Sequence, residues 1–386
     1  MTDRGETANA RIQQFLAEAD PRLTGVLFID LAAIAANYRL LSETCVPAKC
    51  AGVVKANAYG LGVARVASTL AGAGCDAFFV ATLREAESLK EAVGDAVIYV
   101  LDGLLPGTEP VFTSNEFRPV LNSLADVREW SEHCRSAGAQ GKSAIQLDTG
   151  MTRLGLSPAE LAELAGQPEL LATFETVLVM SHLACADEPN HPKNAQQLAR
   201  FREMRQLLSP RPASFANSAG VFLGRSYHFD LARPGIALYG GRAVMDEPNP
   251  MAPVVHLYGR IVQVRQTTEP VTVGYGATHS LDPPRRLATV AAGYADGYPR
   301  HASASSTDPG ATVRLAGHAV PVIGRISMDL TVLDVSELPE GVAQRGGWVE
   351  LLGPKVTVDD LADRAGTIGY EILTRLGRRY RRIYLD

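Results

Sequence analysis

The sequence predicts an α/β protein with an N-terminal (β/α)8 barrel of the TIM type and a C-terminal, mainly β domain. Eight short apolar runs alternate with helical patterns between residues 51 and 238. The stretch 245–253 is rich in proline and is typical of a linker. Short β-rich runs, separated by turns with Gly, Pro and Asp, dominate the sequence after it. We therefore predict a lead at 1–22, the barrel at 23–248 and the β-rich domain at 249–386.

The predicted elements of the barrel follow one another as βα units. Its strands are expected at 51–55, 77–82, 97–101, 118–121, 143–148, 176–182, 212–216 and 230–238. Its helices are expected at 31–44, 62–73, 83–92, 124–137, 158–166 and 194–208. Eight parallel units of this length favour a closed barrel, with an open doubly wound sheet as the alternative.

The C-terminal domain has a different pattern, in which β-runs follow each other directly. Its strands are expected at 254–266, 289–292, 311–315, 320–322, 330–333 and Trp348–Leu352. A helix is predicted at Val358–Ala365, and a last segment covers 367–384. This arrangement is typical of an all-β domain with little helix.

Composition narrows the class of protein. The chain has 386 residues, 46% of them hydrophobic, and a net charge of -5. That length favours two domains, and the negative charge argues against a nucleic acid or an anionic membrane as partner. Five scattered cysteines without a CxxC pair predict neither disulfides nor a metal site, and suit a reducing cytoplasm. The first twenty residues lack the apolar core of a signal peptide, and are expected to be a short amphipathic helix or a disordered lead.

The stretch 51–62 carries the first functional prediction. A short apolar run bears Lys55 and leads into a turn with two glycines, and a helical pattern follows. Lys55 is therefore expected at the carboxyl end of a strand, where α/β enzymes keep their active sites. Burial there lowers the pKa of the amine and suits a Schiff base to a carbonyl cofactor. A lysine that only extends from the strand end into solvent is the alternative reading.

Further polar groups follow other predicted strands. They are Tyr59, Arg153 in a glycine-containing turn, His182, the run Asn217 to Gly220, and Arg233 with Gly235 and Ile236. Parallel strand ends meet at one mouth, so these groups are expected to converge. The small residues and backbone N–H donors of the last two segments suit a phosphate, and a lysine amine suits an aldehyde. Pyridoxal 5′-phosphate carries both groups.

These motifs resemble those of the alanine racemases of fold type III, over nearly the whole chain after about residue 22. In the barrel the matching motifs are 53–60 (VVKANAYG), 148–155 (DTGMTRLG), 181–187 (SHLACAD), 217–220 (NSAG) and 233–240 (RPGIALYG). In the second domain they are 273–278 (VGYGAT), 293–298 (GYADGY) and 324–329 (GRISMD). The cofactor-lysine motif is the most specific of them.

The resemblance implies interconversion of L- and D-alanine by two bases with pyridoxal 5′-phosphate, which serves peptidoglycan synthesis or alanine catabolism. Lys55 would remove the Cα proton of D-alanine, and Tyr275 that of L-alanine. His182 would partner Tyr275, with Arg233 behind it at the pyridine nitrogen. Tyr275 would come from a partner subunit, so the implied active unit is a head-to-tail homodimer.

The resemblance also assigns the other site residues. The cofactor phosphate would be held by Tyr59, Ser218, Gly235 and Ile236, with Asn217 among the cofactor contacts. Arg153 would orient the cofactor's phenolic oxygen and face the substrate, and the Met328 N–H would meet the substrate carboxylate. The entryway would be lined by Asp187, Tyr294, Arg300 and Arg325.

Three positions depart from the family pattern. Gln146 stands where many members carry a carbamylated lysine, and Leu61 replaces a common histidine. Arg378 falls where some members have a gate tyrosine, and Tyr380 is the other candidate for that place. The gate position bears on the breadth of substrates. The alternative functions are a broad-specificity racemase or a decarboxylase of the same fold, and a non-catalytic cofactor-binding protein built from a lone barrel.

Overall fold

The computed structural model describes residues 2–208 and 210–386, with side chains from residue 7 onward, and the chain forms two compact units. The barrel unit comprises Ile34–Leu238 and Arg242–Met251. The β unit comprises the chain up to Ala33, Tyr239–Gly241 and Ala252–Asp386. The domain ranges 1–22, 23–248 and 249–386 stay predictions.

The elements are numbered here in chain order. The strands are β1 (Gly25–Asp30), β2 (Lys49–Cys50), β3 (Gly52–Val53), β4 (Ala77–Val80), β5 (Val97–Val100), β6 (Arg118–Leu121), β7 (Lys142–Gln146), β8 (Glu175–Met180), β9 (Ala213–Ser214), β10 (Leu231–Ala232), β11 (Val255–Thr267), β12 (Val271–Val273), β13 (His279–Leu281), β14 (Arg285–Val290), β15 (Thr312–Leu315), β16 (His318–Ile323), β17 (Thr331–Asp334), β18 (Trp348–Leu352) and β19 (Arg381–Leu385). The α-helices are α1 (Thr2–Glu18), α2 (Leu31–Cys45), α3 (Lys55–Tyr59), α4 (Val63–Gly72), α5 (Leu83–Val93), α6 (Glu109–Asn115), α7 (Leu124–Ala137), α8 (Pro158–Ala165), α9 (Pro168–Leu171), α10 (Pro192–Arg205), α11 (Ser218–Phe222), α12 (Val358–Ala365) and α13 (Gly369–Arg375).

The barrel unit is built on a closed ring of parallel strands. Strands β3 to β9 pair in chain order. Strand β10 pairs in parallel with β2, which directly precedes β3. On its other side the Asp230 N–H donates to the Ala213 carbonyl of β9 at 2.9 Å. The ring therefore closes, which confirms the barrel over the open sheet.

Burial explains why the barrel strands are so apolar. All four residues of β4 are buried, and β5 to β8 are buried at most positions. Strands of a parallel sheet are covered on both faces, so they show continuous apolar runs rather than alternation. Helix α5 begins with a capping box formed by Thr82 and Glu85, and α8 with one formed by Ser157 and Glu160. The short helices α6 and α9 were not predicted.

The segment around Lys55 differs from the prediction. The strand was expected to run through residue 55, but β3 ends at Val53 and Lys55 opens α3. The four residues from Ala56 to Tyr59 have positive φ angles of 52° to 56°. Residues with a Cβ adopt this left-handed conformation only when their surroundings hold them in it. Part of that support is Glu85, whose Oε1 accepts the Ala56 N–H at 2.7 Å.

The β unit contains an eight-stranded sheet in the order β14-β17-β16-β15-β18-β11-β1-β19. Strand β1 pairs antiparallel with β11 and parallel with β19, so a strand from the start of the chain lies inside this sheet. The strand expected at 289–292 is β14 and begins earlier, at Arg285. The predicted helix Val358–Ala365 is confirmed residue for residue as α12.

The N-terminal lead is helical from Thr2 to Glu18. Ile12 and Leu16 of α1 are buried in a cluster with Val26 and Phe28 of β1. The Trp348 indole N–H donates to the Leu16 carbonyl at 3.0 Å and fixes the end of the helix. Of the two alternatives for the lead, the amphipathic helix is thus the one found.

None of the helices in the described ranges is long and apolar enough to cross a bilayer. The described side chains also include no group of three or more His, Cys, Asp or Glu suited to holding a metal ion. All five cysteines are free thiols.

We expect Ile12→Ala to destabilise the β unit by about 2–4 kcal/mol, since it leaves a cavity under α1. Ile12 is 1% exposed, whereas its neighbour Gln13 is exposed, so Gln13→Ala is the matched control. Equilibrium denaturant unfolding of the two variants and the wild type measures the difference. Equal midpoints for the two variants would show that the packing of Ile12 under α1 adds nothing to stability.

Candidate active site

Lys55 lies half-buried at the mouth of the barrel. Burial, and secondarily the charge of Arg153, hold its pKa below the usual lysine value. Asp102 and Glu85 act in the opposite direction. The carboxylate of Glu85 accepts the backbone N–H groups of Ala56 and Ala81, at 2.7 and 2.8 Å. The resulting amine is more readily deprotonated than that of an exposed lysine.

A group of buried donors lies around the Ser218 hydroxyl. Its Oγ accepts the N–H of Gly235 at 2.8 Å and that of Ala237 at 3.3 Å. The N–H groups of Ser218 and Ile236 form no hydrogen bond with any described residue, although both residues are buried. Unpaired buried N–H groups are rare and mark a place for an acceptor.

Gly235 brings Tyr59 to the same place. A Cβ at this glycine would lie 2.2 Å from the Tyr59 Oη, so any side chain here would displace the phenol. The Tyr59 ring itself is 6% exposed. Two hydroxyls and two unpaired N–H groups therefore lie close together, without a lysine among them, which is a set of donors that suits a phosphate.

Arg233 is a buried cation and has no carboxylate partner among the described residues. Its guanidinium donates to the Ser214 hydroxyl and, at 2.7 Å, to the Ser181 carbonyl. Burial lowers its pKa to about 9, so it still carries its proton at neutral pH. The same guanidinium lies 3.4 Å from the Nδ1 of His182.

That contact indicates the tautomer of His182. An arginine only donates, so the Nδ1 of His182 must accept and its proton lies on Nε2. Burial, together with the charges of Arg233, Arg153 and Lys55, lowers the histidine pKa to about 3. The ring is therefore neutral over the physiological range and presents an Nε2–H donor.

Arg153 is positioned by a turn that Asp148 builds. One carboxylate oxygen of Asp148 accepts the N–H groups of Gly150, Met151 and Thr152, at 2.9, 3.0 and 3.0 Å. Arg153 is exposed and pairs with no described residue. It borders a cavity of about 370 Å³ and a second one of about 10 Å³, the latter shared with His182.

Three other predicted positions lie in the barrel unit. Asn217 caps α11, its Oδ1 accepting the Gly220 N–H at 2.9 Å. Gln146 is buried beside the smaller cavity, and its side-chain amide forms no hydrogen bond with a described residue. Asp187 is exposed, and its carbonyl accepts the Met245 N–H. Of these, Asn217 has a clear structural task.

The remaining predicted residues lie in the β unit. Tyr275 is 72% exposed and stands between Gly274 and Gly276, whose φ angles are +74° and +77°. A Cβ at Gly274 would lie 2.9 Å from the Arg325 backbone nitrogen. One at Gly276 would lie 2.8 Å from the Arg325 guanidinium. The tyrosine thus projects from a tight turn that wraps around Arg325.

Met328 and Tyr294 lie on two adjoining loops of the β unit, 53% and 42% exposed. The Met328 N–H donates to no described residue. The side chains of Arg300 and Arg325 are exposed and form no hydrogen bond or ion pair with a described residue. The structure therefore gathers the predicted residues into two sets, one in each unit.

The two candidates for the gate position have different surroundings. Tyr380 is 4% exposed, and its ring would lie 2.5 Å from a Cβ at Gly25. It is a core residue of the β unit. Arg378 is exposed and forms no side-chain contact with a described residue. We infer that Arg378, rather than Tyr380, is available at that position.

Several supporting residues were not predicted. Ser214 and Ser181 hold Arg233, and Glu85 holds the turn that follows Lys55. Ser181 stands next to His182 in the motif 181–187, which is a usable signal. Ser214 and Glu85 stand in ordinary strand and helix contexts, and single-sequence patterns contain nothing that marks them.

Family models match both parts of the chain. The model of the alanine racemase N-terminal domain matches residues 29–243, and that of the alanine racemase C-terminal domain matches residues 254–384. An alanine racemase of Rhodospirillum rubrum is 50% identical over 367 residues, covering 95% of this chain and 97% of the relative. A catabolic alanine racemase of Mesorhizobium japonicum is 50% identical over 361 residues, covering 93% of each.

Solved structures agree with these relatives. The alanine racemase of Bartonella henselae, with covalently bound pyridoxal phosphate, has a TM-score of 0.89 and 40% identity, covering 94% of this chain and 99% of that one. A biosynthetic alanine racemase of Pseudomonas aeruginosa has a TM-score of 0.86 and 35% identity, covering 94% and 100%. The chain belongs to the alanine racemase family.

Proposed function

We propose that this protein interconverts L- and D-alanine with pyridoxal 5′-phosphate as cofactor. The observation that carries the proposal is the set of groups at the barrel mouth: an amine of lowered pKa at Lys55 and a buried group of hydrogen-bond donors around Ser218. Membership of the family supports the same activity.

The residues present fit the cofactor. The Tyr59 and Ser218 hydroxyls and the unpaired N–H groups of Ser218 and Ile236 would hold its phosphate. Asn217 would act indirectly by capping the helix that carries Ser218. When bound, pyridoxal 5′-phosphate supplies an aldehyde that can bond to an amine and a conjugated ring that acidifies the substrate Cα–H.

Arg233 and His182 would set the electrostatics beside the cofactor ring. Arg233 keeps its proton at neutral pH, so it can donate to the ring nitrogen but cannot protonate it. A carboxylate in that place would favour a protonated ring and a stronger electron sink. The arginine therefore favours brief proton removal over side reactions such as transamination.

Lys55 and Tyr275 would hold and move the Cα proton on opposite faces of the substrate. Lys55 would act on D-alanine and Tyr275 on L-alanine. A phenol has an ordinary pKa of about 10 and is a weak base at neutral pH. A neutral His182, whose Nε2–H is free to donate, would stabilise the phenolate form of Tyr275.

Substrate binding is proposed to use Arg153 and the unpaired N–H of Met328, both of which can meet a carboxylate. The entryway would be lined by the exposed side chains of Asp187, Tyr294, Arg300 and Arg325. A rim with both signs of charge suits a zwitterion such as alanine.

We further propose a head-to-tail homodimer in which Tyr275 serves the partner's Lys55. The supporting observation is the 72% exposure of Tyr275 on a turn that is otherwise tightly packed. Aromatic residues are enriched at protein interfaces relative to the rest of the surface. The five free cysteines suit a reducing compartment, and we propose the cytoplasm, where D-alanine is made for peptidoglycan or broken down.

The lowered pKa of Lys55 can be tested on the protein after removal of the cofactor. Acetylation by acetic anhydride, followed by peptide mass spectrometry across pH, should give Lys55 a lower midpoint than Lys49. Lys49 is an internal control, because its hydrogen bond to Asp76 at 2.6 Å raises its pKa. Arg153→Gln removes a charge that repels the protonated amine, so it should raise the Lys55 midpoint and leave the Lys49 midpoint unchanged. A Lys55 midpoint at or above that of Lys49 would contradict the assignment.

Replacing Tyr275 by phenylalanine should separate the two bases. In D2O the wild type is expected to exchange the Cα proton of both isomers of alanine. Tyr275→Phe should lose exchange from L-alanine by about 100-fold or more, while Lys55 keeps exchange from D-alanine. Tyr370→Phe, on the same unit, is the control and should exchange both isomers. Equal losses for the two isomers in Tyr275→Phe would refute the two-base assignment.

The composite site can be tested by mixing two inactive variants, Lys55→Ala and Tyr275→Phe. If each site joins Lys55 of one chain to Tyr275 of the other, a mixed dimer has one intact site. Random exchange of subunits should then restore about a quarter of the wild-type activity. If both residues came from the same chain, no combination would contain an intact site, and the mixture would stay inactive.

A further inference from the structure

Arg379 joins two acidic residues of the β unit. Its Nε lies 2.7 Å from the Asp296 carboxylate, and its Nη1 lies 2.7 Å from that of Asp329. The Asp296 side chain is 7% exposed, whereas those of Arg379 and Asp329 are about half exposed. The arginine therefore reaches from the surface to one buried and one exposed carboxylate.

Asp296 fixes the loop that carries Tyr294. Its second carboxylate oxygen accepts the Gly293 N–H at 3.0 Å, which closes the turn 293–296. Its carbonyl accepts the Gly377 N–H at 2.8 Å. A Cβ at Gly297 would lie 2.1 Å from the Arg375 carbonyl, so the C-terminal segment packs directly against this turn.

The same turn is bonded to the loop that carries Met328. The Tyr294 N–H donates to the Ser327 carbonyl at 3.1 Å, and the Ala295 N–H donates to the Met328 carbonyl at 3.0 Å. A Cβ at Gly293 would lie 2.4 Å from both of those carbonyls. The carbonyl side of Met328 is thus engaged while its N–H stays unpaired.

We propose that Arg379 is a positioning residue that fixes the Met328 N–H for the substrate carboxylate, an inference that rests on the proposed function. It holds the Met328 loop in two ways. Through Asp329 it holds the residue next to Met328, and through Asp296 it holds the turn bonded to the Met328 carbonyl. Arg379 itself touches no reacting atom.

Only an arginine can do this with one side chain. Its Nε and Nη1 donate in fixed directions to two separate carboxylates. A lysine has a single ammonium group on a flexible chain. It can pair with the carboxylate of Asp296 or with that of Asp329, but it does not hold both in fixed directions. Arg379→Lys is therefore expected to rescue only part of the effect of Arg379→Gln.

The test is steady-state kinetics in both directions on the cofactor-loaded enzyme. Arg379→Gln should raise the KM for L- and D-alanine together by about tenfold, as expected for one weakened hydrogen bond to a charged group, with kcat changed less than about threefold. Asp329→Asn, which keeps the Asp296 contact, should raise both KM values by about threefold. Arg381→Gln removes an exposed, unpaired arginine two residues away and should match the wild type.

Amide hydrogen exchange gives a readout that does not need activity. In Arg379→Gln, segments 293–298 and 325–330 should exchange faster than in the wild type and Arg381→Gln, while the barrel unit stays unchanged. Unchanged KM values in Arg379→Gln would overturn the proposal. If the KM values are unchanged while the melting temperature and the cofactor content fall, the arginine has only a structural role. If Arg379→Gln fails to fold, Asp329→Asn decides the question by the same criteria. A wild type that does not racemise alanine would instead refute the proposed function.

Discussion

A guanidinium buried without a carboxylate partner among the described residues determines the chemistry of the barrel mouth. Arg233 is held by a serine hydroxyl and a carbonyl, so its charge is hydrogen-bonded but not neutralised. Such a charge is costly to bury, and it acts on everything near it. It forces His182 to accept at Nδ1 and stay neutral. The electrostatic potential in this part of the barrel unit is therefore positive, and a bound anion would be stabilised there.

The fold was largely predictable because its signals are local. Helix α12 has the predicted bounds, and the structure shows a local reason for its start, a capping box formed by Thr357 and Asp360. The barrel strands were recognisable as apolar runs. Strand β1 shows no such signal for its partners, since its pairing with β11 and β19 joins residues more than 200 positions apart. The turn after Lys55 was predicted, but its left-handed conformation was missed because alanine rarely adopts positive φ angles.

Much the same division applies to the site. Lys55, Arg153, His182 and Arg233 could be selected because unusual residues follow strands or lie in glycine-rich turns. Their supports could not, because Glu85 or Ser214 acts through a contact with a residue distant in the sequence. The backbone N–H donors of the donor cluster were expected from the small residues at 217–220 and 235–236, but the sequence does not show which of them stay unpaired. A single sequence therefore identifies the reactive groups better than it identifies the residues that orient them.

The division of groups between the units bears on the alternative of a non-catalytic cofactor-binding protein. The barrel unit alone has an amine, a cluster of backbone and hydroxyl donors and a neutral histidine, which are groups that a protein that only binds pyridoxal phosphate would also need. Inversion at Cα needs a second base on the opposite face, and binding alone does not. A carrier would have no use for an exposed tyrosine held between two glycines with positive φ angles, in a turn where a side chain at Gly274 would collide with the Arg325 backbone. A turn that holds Tyr275 in one place fits a residue whose hydroxyl has to be placed accurately, as the proposed second base of a racemase would be.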